Sequence, residues 1–252
     1  SEAGGGIGLG RLEAALIMEA MAYSCPSTSA FISIHNMAAW MIDCFGGDAV
    51  KAKYLPGLVT MDQIASYCLT EPGSGSDAAA LKTRAVRDGD EWVVNGQKVW
   101  NTLAHLGDWG MLVARTNTEA PKHKGMTYFA LDMRLPGVEV RPLRQITGEA
   151  EFNEVYFTDV RIPEKEMLGK PGDGWRVSLT TLMNERVAIG GVVPPRGSGT
   201  IASLTKIWST MDADCKDPAT RDELMKLWVR AEVLRLTNIR AGQNRKMGVP
   251  GP

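Results

Sequence analysis

Two short stretches and one helical carboxylate hold the side chains of this 252-residue chain that could do chemistry. The first stretch is Tyr67-Cys68-Leu69-Thr70-Glu71-Pro72-Gly73-Ser74-Gly75-Ser76-Asp77. In it an apolar, strand-like run from Ile64 stops at Glu-Pro and gives way to alternating Gly and Ser. Small residues let a backbone approach a ligand closely. Consecutive amides, with the Thr70, Ser74 and Ser76 hydroxyls, could then face a polar or anionic group. A plain surface turn accounts for the same composition. A P-loop does not, because no GxxxxGK[ST] is present. The dinucleotide GxGxxG also fails, since Gly75 is followed by Ser76-Asp77-Ala78. The second stretch carries Trp100 and Thr102. A strand Trp serves either as core or as a plate for a stacked ring. The carboxylate is Glu185. On a helix it neighbours Thr181, Leu182, Ala188 and Ile189, three of them apolar. Partial desolvation there would raise its pKa toward the range of a general base. A solvated Glu185-Arg186 edge is the alternative.

Three blocks must position these groups. From about Leu12 to Val59 the apolar spacing is helical. Pro26 breaks a first helix, Thr28 or Ser29 can cap a second that ends at Gly46-Gly47, and Asp48 can cap a short third before Pro56. From Ile64 to Pro163 the period changes. Asp88-Gly89 and Asn95-Gly96 are hairpin signals, and strands are expected over 110–115, 126–132, 138–143 and 154–157. Many short strands with Gly, Pro and Asn punctuation predict a β-barrel or sandwich. The third block is helical again. One helix follows Gly172–Trp175 and runs to about Gly191, where Pro194-Pro195 forbid continuation. Another starts at Asp217-Pro218 and carries Leu224, Leu227, Trp228, Ala231 and Leu234 on one face.

Composition narrows the partners. Lys+Arg (28) balance Asp+Glu (29), so nothing draws the chain to nucleic acid or an anionic membrane. No apolar run reaches the roughly 18 residues of a membrane span. Cys25, Cys44, Cys68 and Cys215 lack metal spacing and read as buried reduced thiols, which fits a bacterial cytoplasm or a mitochondrial matrix. His35, His105 and His123 share no ligand spacing; His35 reads as a helix-packing residue and His105 as a loop residue. The chain opens on Ser1 and closes just past a helix-ending signal, so a fragment lacking both flanks is expected.

Residues 67–77 followed by Gly89-Asp90-Glu91-Trp92-Val93-Val94-Asn95-Gly96-Gln97-Lys98-Val99-Trp100-Asn101-Thr102 resemble the signature of the acyl-CoA dehydrogenase family. The similarity continues through 157–163 and 172–175. Residues 23–76 are similar to isobutyryl-CoA-type members, and those after about Trp100 to bacterial paralogs. The resemblance implies an α+β multidomain fold truncated at both ends: the end of an N-terminal helical domain (1–62), a central β-barrel (63–165) and the start of a C-terminal helical bundle (166–252). It implies FAD between barrel and bundle, an acyl-CoA substrate oxidised to the 2-enoyl-CoA, an electron-transfer flavoprotein as acceptor, and a homotetramer or hetero-oligomer. By motif, Tyr67, Leu69 and Thr70 lie along the flavin edge. Gly75 and Ser76 lie near its phosphates or the CoA arm, Trp100 packs on the ring, and Thr102 bonds near the reactive nitrogen. Asn101 and Leu103-Ala104 depart from the commonest spelling. Isovaleryl- and long-chain types place their base in a Glu-Arg pair like Glu185-Arg186, which makes Glu185 the base and Arg186 a structural or CoA-side cation. Most other members carry the base on a later helix. Pro194-Pro195 interrupts a helix that many members run unbroken, and their Arg-x-x-Phe-Gly flavin contact is not found. An acyl-CoA oxidase and a non-catalytic, partner-dependent paralog subunit remain as alternative readings.

Overall fold

Helix-forming residues interrupted at Pro26 and at Gly46-Gly47 give three successive helices, α1 (Arg11–Ser24), α2 (Pro26–Phe45) and α3 (Asp48–Thr60). The structure, a computed structural model, describes residues 1–190 and 193–247, and of residues 11, 183–190, 245 and 246 the backbone alone. It falls into two compact units, Ser1–Met183 and Asn184–Pro252. Two local expectations are corrected in the first three helices. Cys25, not Thr28 or Ser29, caps α2: its Sγ accepts from the Thr28 N–H at 3.4 Å, and Pro26 takes the first helical position, where an N–H is not needed. Pro56 does not end α3, which runs on to Thr60 and stops at Met61 with φ 61°. His35 is buried, with Nε2 2.8 Å from the Leu58 carbonyl, and so ties α2 to α3. Only Cys68 is a buried thiol; Cys25, Cys44 and Cys215 are exposed, against the expectation for all four.

Eight strands follow: β1 (Ala65–Cys68), β2 (Arg84–Asp88), β3 (Glu91–Thr102), β4 (Trp109–Arg115), β5 (Met126–Asp132), β6 (Val138–Leu143), β7 (Phe152–Pro163) and β8 (Met167–Leu168). The expected barrel does not close. The order is β6-β7-β3-β2-β4-β5-β8, with β1 pairing β4 off this path, so β6 and β8 are free ends. The physical reason lies in those ends. β8 is two residues long, and β6 carries Pro142, which has no N–H to donate to a further strand. At the middle, β2 meets β4 through the single pair Arg84↔Arg115, and there the sheet folds over.

Folding over creates two cores. Met111 and Val113 of β4, with Tyr128 and Ala130 of β5, face a helical layer that includes Met41, Ile42, Tyr54 and Leu58. Their alternating neighbours Leu112, Ala114, Phe129 and Leu131 face Trp92 and Val94 of β3 and Val155 and Phe157 of β7. Burial on both faces explains why β4 and β5 read as near-continuous apolar runs, while β3 and β7 alternate. The β2–β3 hairpin turns at Gly89, φ 64°. Asn95-Gly96 is not a second turn: β3 runs through it as a 12-residue strand. Gly96 sits at a register shift against β7 with φ 151°, and a Cβ there would lie 2.7 Å from Thr83 Cα.

Helix α4 (Gly174–Gly190) begins against the helical-layer core, burying Val177 and Thr181. In the second unit, α5 (Thr200–Thr210) is followed by α6 (Pro218–Lys246). Asp217 caps α6, accepting from the Thr220 N–H at 2.9 Å. Leu224, Trp228 and Ala231 are half-buried on α6, whereas Leu227 and Leu234 are exposed; the five do not share one buried face. Among the described residues no helix is long and apolar enough to cross a membrane.

Gly96→Ala is expected to lower stability by about 1–3 kcal/mol, because the new methyl meets backbone rather than a flexible side chain. Denaturant unfolding measures it; a loss below half of one kcal/mol would show that Thr83 yields freely.

Candidate functional site

The two motif stretches meet. β1 runs against the end of β3, joined by three bonds of different kinds. The Val99 N–H donates to the Thr70 carbonyl at 2.8 Å, Asn101 Nδ2 to the Tyr67 carbonyl at 2.8 Å, and Ser66 Oγ to the Thr102 carbonyl at 2.9 Å. Only the first is backbone to backbone, and its acceptor Thr70 lies two residues past β1; side chains supply the others. Tyr67 is half-buried, its ring centroid 6.4 Å from that of Tyr128, Leu69 is buried, and Thr70 and Thr102 are half-buried.

Beneath this seam lies an ion pair. Lys98 is fully buried and its Nζ donates to Glu71 Oε1 at 2.8 Å and to the Leu69 carbonyl at 2.9 Å. Glu71, also buried, accepts in addition from the backbone N–H groups of Lys82 (2.6 Å) and Thr83 (2.9 Å). Burial pushes the Glu71 carboxyl up, but the Lys98 charge and these hydrogen bonds outweigh it and hold its pKa below the ordinary 4.5. Burial draws the Lys98 ammonium below its ordinary 10.5, with Glu71 pulling it back. The pair anchors the glycine loop at its root. Glu71 and Ser74 then exchange backbone bonds of 3.1 and 3.0 Å, so the loop turns back at once. Ser74, expected to offer its hydroxyl outward, is buried and donates to the Asp77 carbonyl at 2.7 Å. Gly75 and Ser76 are exposed. A Cβ at Gly73 or Gly75 would meet nothing within 4 Å and neither has a positive φ, so no internal contact calls for glycine at either place.

Trp100 departs most from what its sequence context suggests. Between Lys98 and Asn101 the ladder shifts: three steps on β3 face two on β7, from Val155 to Asn153. One residue is therefore extra, a bulge. Trp100 sits in it with φ 62°, a left-handed conformation that costs a bulky side chain about 1–2 kcal/mol. The residue is 59% exposed, and its ring lies in an edge-to-face arrangement with Phe152, centroids 5.9 Å apart at 76°. It is not a core residue. Behind it Asn153 Nδ2 donates to the Asn101 carbonyl at 3.2 Å, and Asn153 Oδ1 is 3.1 Å from His105 Nδ1.

Glu185 and Arg186 lie on the α4 backbone, and their side chains fall outside the described residues. Sequence reasoning missed Glu71, Lys98, Asn101 and Asn153. A signal existed for the first two: each is a charge at a strand end or interior otherwise built of apolar and small residues.

The chain matches the description "Acyl-CoA dehydrogenase, N-terminal domain" over residues 1–62 and "Acyl-CoA dehydrogenase, middle domain" over residues 66–160. It belongs to the acyl-CoA dehydrogenase family. Acyl-CoA dehydrogenase FadE34 of Mycobacterium tuberculosis is 40% identical over 196 residues, covering 76% of this chain and 26% of that protein. Mitochondrial isobutyryl-CoA dehydrogenase of Dictyostelium discoideum is 41% identical over 189 residues, covering 74% and 45% respectively. The chain thus spans less than half the length of these relatives. Among solved structures, the ChsE4–ChsE5 complex from Mycobacterium tuberculosis superposes with a TM-score of 0.66 at 30% identity, covering 97% of this chain and 64% of that one. The fold is that of the family, with its middle-domain strands forming an open, folded sheet.

Glu71→Gln is expected to cost about 3–5 kcal/mol at pH 7, since it leaves the Lys98 charge buried without its partner. Because the folded carboxyl titrates below 4.5, the pair's contribution is complete above the unfolded value and is lost as pH falls through the folded one. The gap between parent and variant should therefore narrow below about pH 4. Unfolding free energies across pH 3–7 measure this; a constant gap would mean that the Glu71 carboxyl titrates alike in the folded and unfolded chain, which overturns the paired-charge reading.

Proposed function

We propose that this chain is the flavin- and thioester-facing part of an FAD-dependent acyl-CoA dehydrogenase that converts an acyl-CoA to its 2-enoyl-CoA. The observation that carries the reading is the seam between β1 and β3, which leaves Trp100 strained and outward beside Thr70 and Thr102. The reading puts a flat ring system there. An exposed indole held against its backbone preference offers an apolar plate, and the adjacent strand ends offer polar groups along its rim. In this reading Tyr67, Leu69, Thr70, Trp100 and Thr102 hold the isoalloxazine, and the bare Gly75-Ser76 turn takes phosphate oxygens of FAD or CoA. FAD, when bound, supplies the acceptor for the electrons leaving the β-carbon.

The chain's own chemical task is the α-proton. Glu185, on the α4 backbone, is the proposed base, with Arg186 proposed as a structural or CoA-side cation. The domain reading is 1–62, 63–165 and 166–252. Electrons would pass to an electron-transfer flavoprotein, in a bacterial cytoplasm or a mitochondrial matrix. Assembly with a second acyl-CoA dehydrogenase chain is favoured alongside a homo-oligomer by the likeness to the two-chain ChsE4–ChsE5 complex.

Anaerobic mixing of the full-length, FAD-loaded protein with short and branched acyl-CoAs should bleach the flavin absorption, and no bleaching with any thioester rejects the proposal. Glu185→Gln should slow bleaching about 10²- to 10⁴-fold with FAD retained. Unchanged bleaching would move the base to another helix.

A further inference from the structure

We propose that Asn101 is a positioning residue that locks the Trp100 indole in its outward posture and so fixes the ring-facing wall of the site. The inference rests on the flavin reading above.

The bulge at Trp100 creates a problem that Asn101 solves. β3 gains one residue against β7 here, and on its other side it has no ladder pairing with β1, which pairs β4. The Val99 N–H reaches the Thr70 carbonyl, whereas the Tyr67 carbonyl takes a bond from a side chain, Asn101 Nδ2 at 2.8 Å. The amide side chain makes a tie between β1 and β3 where the two strands share no ladder. The chain is thus tied to the segment from Tyr67 to Thr70 immediately before and immediately after Trp100, and the residue between the ties is forced outward. Asn153 fixes the other side of the same residue by donating to the Asn101 carbonyl at 3.2 Å while pairing with Asn101 in the β3–β7 register. A left-handed, bulky residue persists only where its surroundings over-determine it, and these ties do so.

The choice of Asn is not explained by packing. The side chain is fully buried, and Asn101 Oδ1 has no hydrogen-bond partner among the described residues. Half of the amide is therefore desolvated without return, a cost that an aliphatic side chain would avoid. What the aliphatic residue lacks is the donor for Tyr67, which keeps the bulge in register.

The test is a double-mutant cycle on FAD affinity, run with the full-length apoprotein. Asn101→Leu, close in shape and without the donor, should weaken FAD binding about tenfold and diminish the visible circular dichroism of the bound flavin. Trp100→Ala should weaken binding by itself. In the Trp100→Ala background Asn101→Leu should then change affinity less than twofold, because the wall it positions is gone. An equal loss in both backgrounds would show a merely structural role and overturn the inference, as would an Asn101→Leu protein with parental affinity and dichroism. If Trp100→Ala also leaves FAD affinity unchanged, or the parent takes up no FAD, the flavin reading itself fails. Should Asn101→Leu not fold, Asn101→Ser, small enough to fit and too short to reach the Tyr67 carbonyl, is read in the same cycle with the same expected and overturning results.

Discussion

A lysine and a glutamate, both removed from water, face each other at 2.8 Å between the root of the glycine loop and the middle of β3. Neither charge could stay buried alone, so every element that satisfies one of them is constrained by the other. Glu71 also collects the amides of Lys82 and Thr83, and Lys98 collects the Leu69 carbonyl. Three backbone segments, 69–71, 82–83 and the strand at Lys98, are thereby referred to one point. The exposed parts of the proposed site, the Gly75-Ser76 turn and Trp100, lie only a few residues along the chain from it. They can be bare and strained because their bases are not free to shift.

The backbone at the site breaks rules that hold elsewhere in the sheet. Over most of its length β3 alternates inward and outward residues and pairs regularly with β7. At Trp100 it gains a residue, adopts a left-handed φ, and exposes an aromatic ring that could otherwise have been buried. Such local conflicts survive where something other than stability is being satisfied.

That contrast governs how much could be read from sequence. The order helix, sheet, helix was legible, as were the Asp-Gly hairpin, the apolar strands 110–115 and 126–132 and the Asp217 cap, because each follows from local period or turn chemistry. The open ends of the sheet were not, since closure depends on which distant edges meet. Asn95-Gly96 looked like a turn because its composition is that of one; the close passage of Thr83 gives Gly96 a different reason to exist. Thr70 and Thr102 could be picked out by motif. The ties that hold their strands, Asn101 to Tyr67 and Ser66 to Thr102, are contacts between residues 34 and 36 apart in sequence, invisible to any local window.

The β4–β5 pair has apolar side chains on both faces, one set against α2 and α3 and the other against β3 and β7. The stretches matching the N-terminal and middle domains of the family therefore share a wall rather than merely touching. Chimeras that graft the helical layer of one relative onto the strands of another would have to repack Met111, Val113, Tyr128 and Ala130 against foreign partners. Recombination across residues 62–66 cuts through a single interior, and relatives would be expected to inherit these helices and strands together.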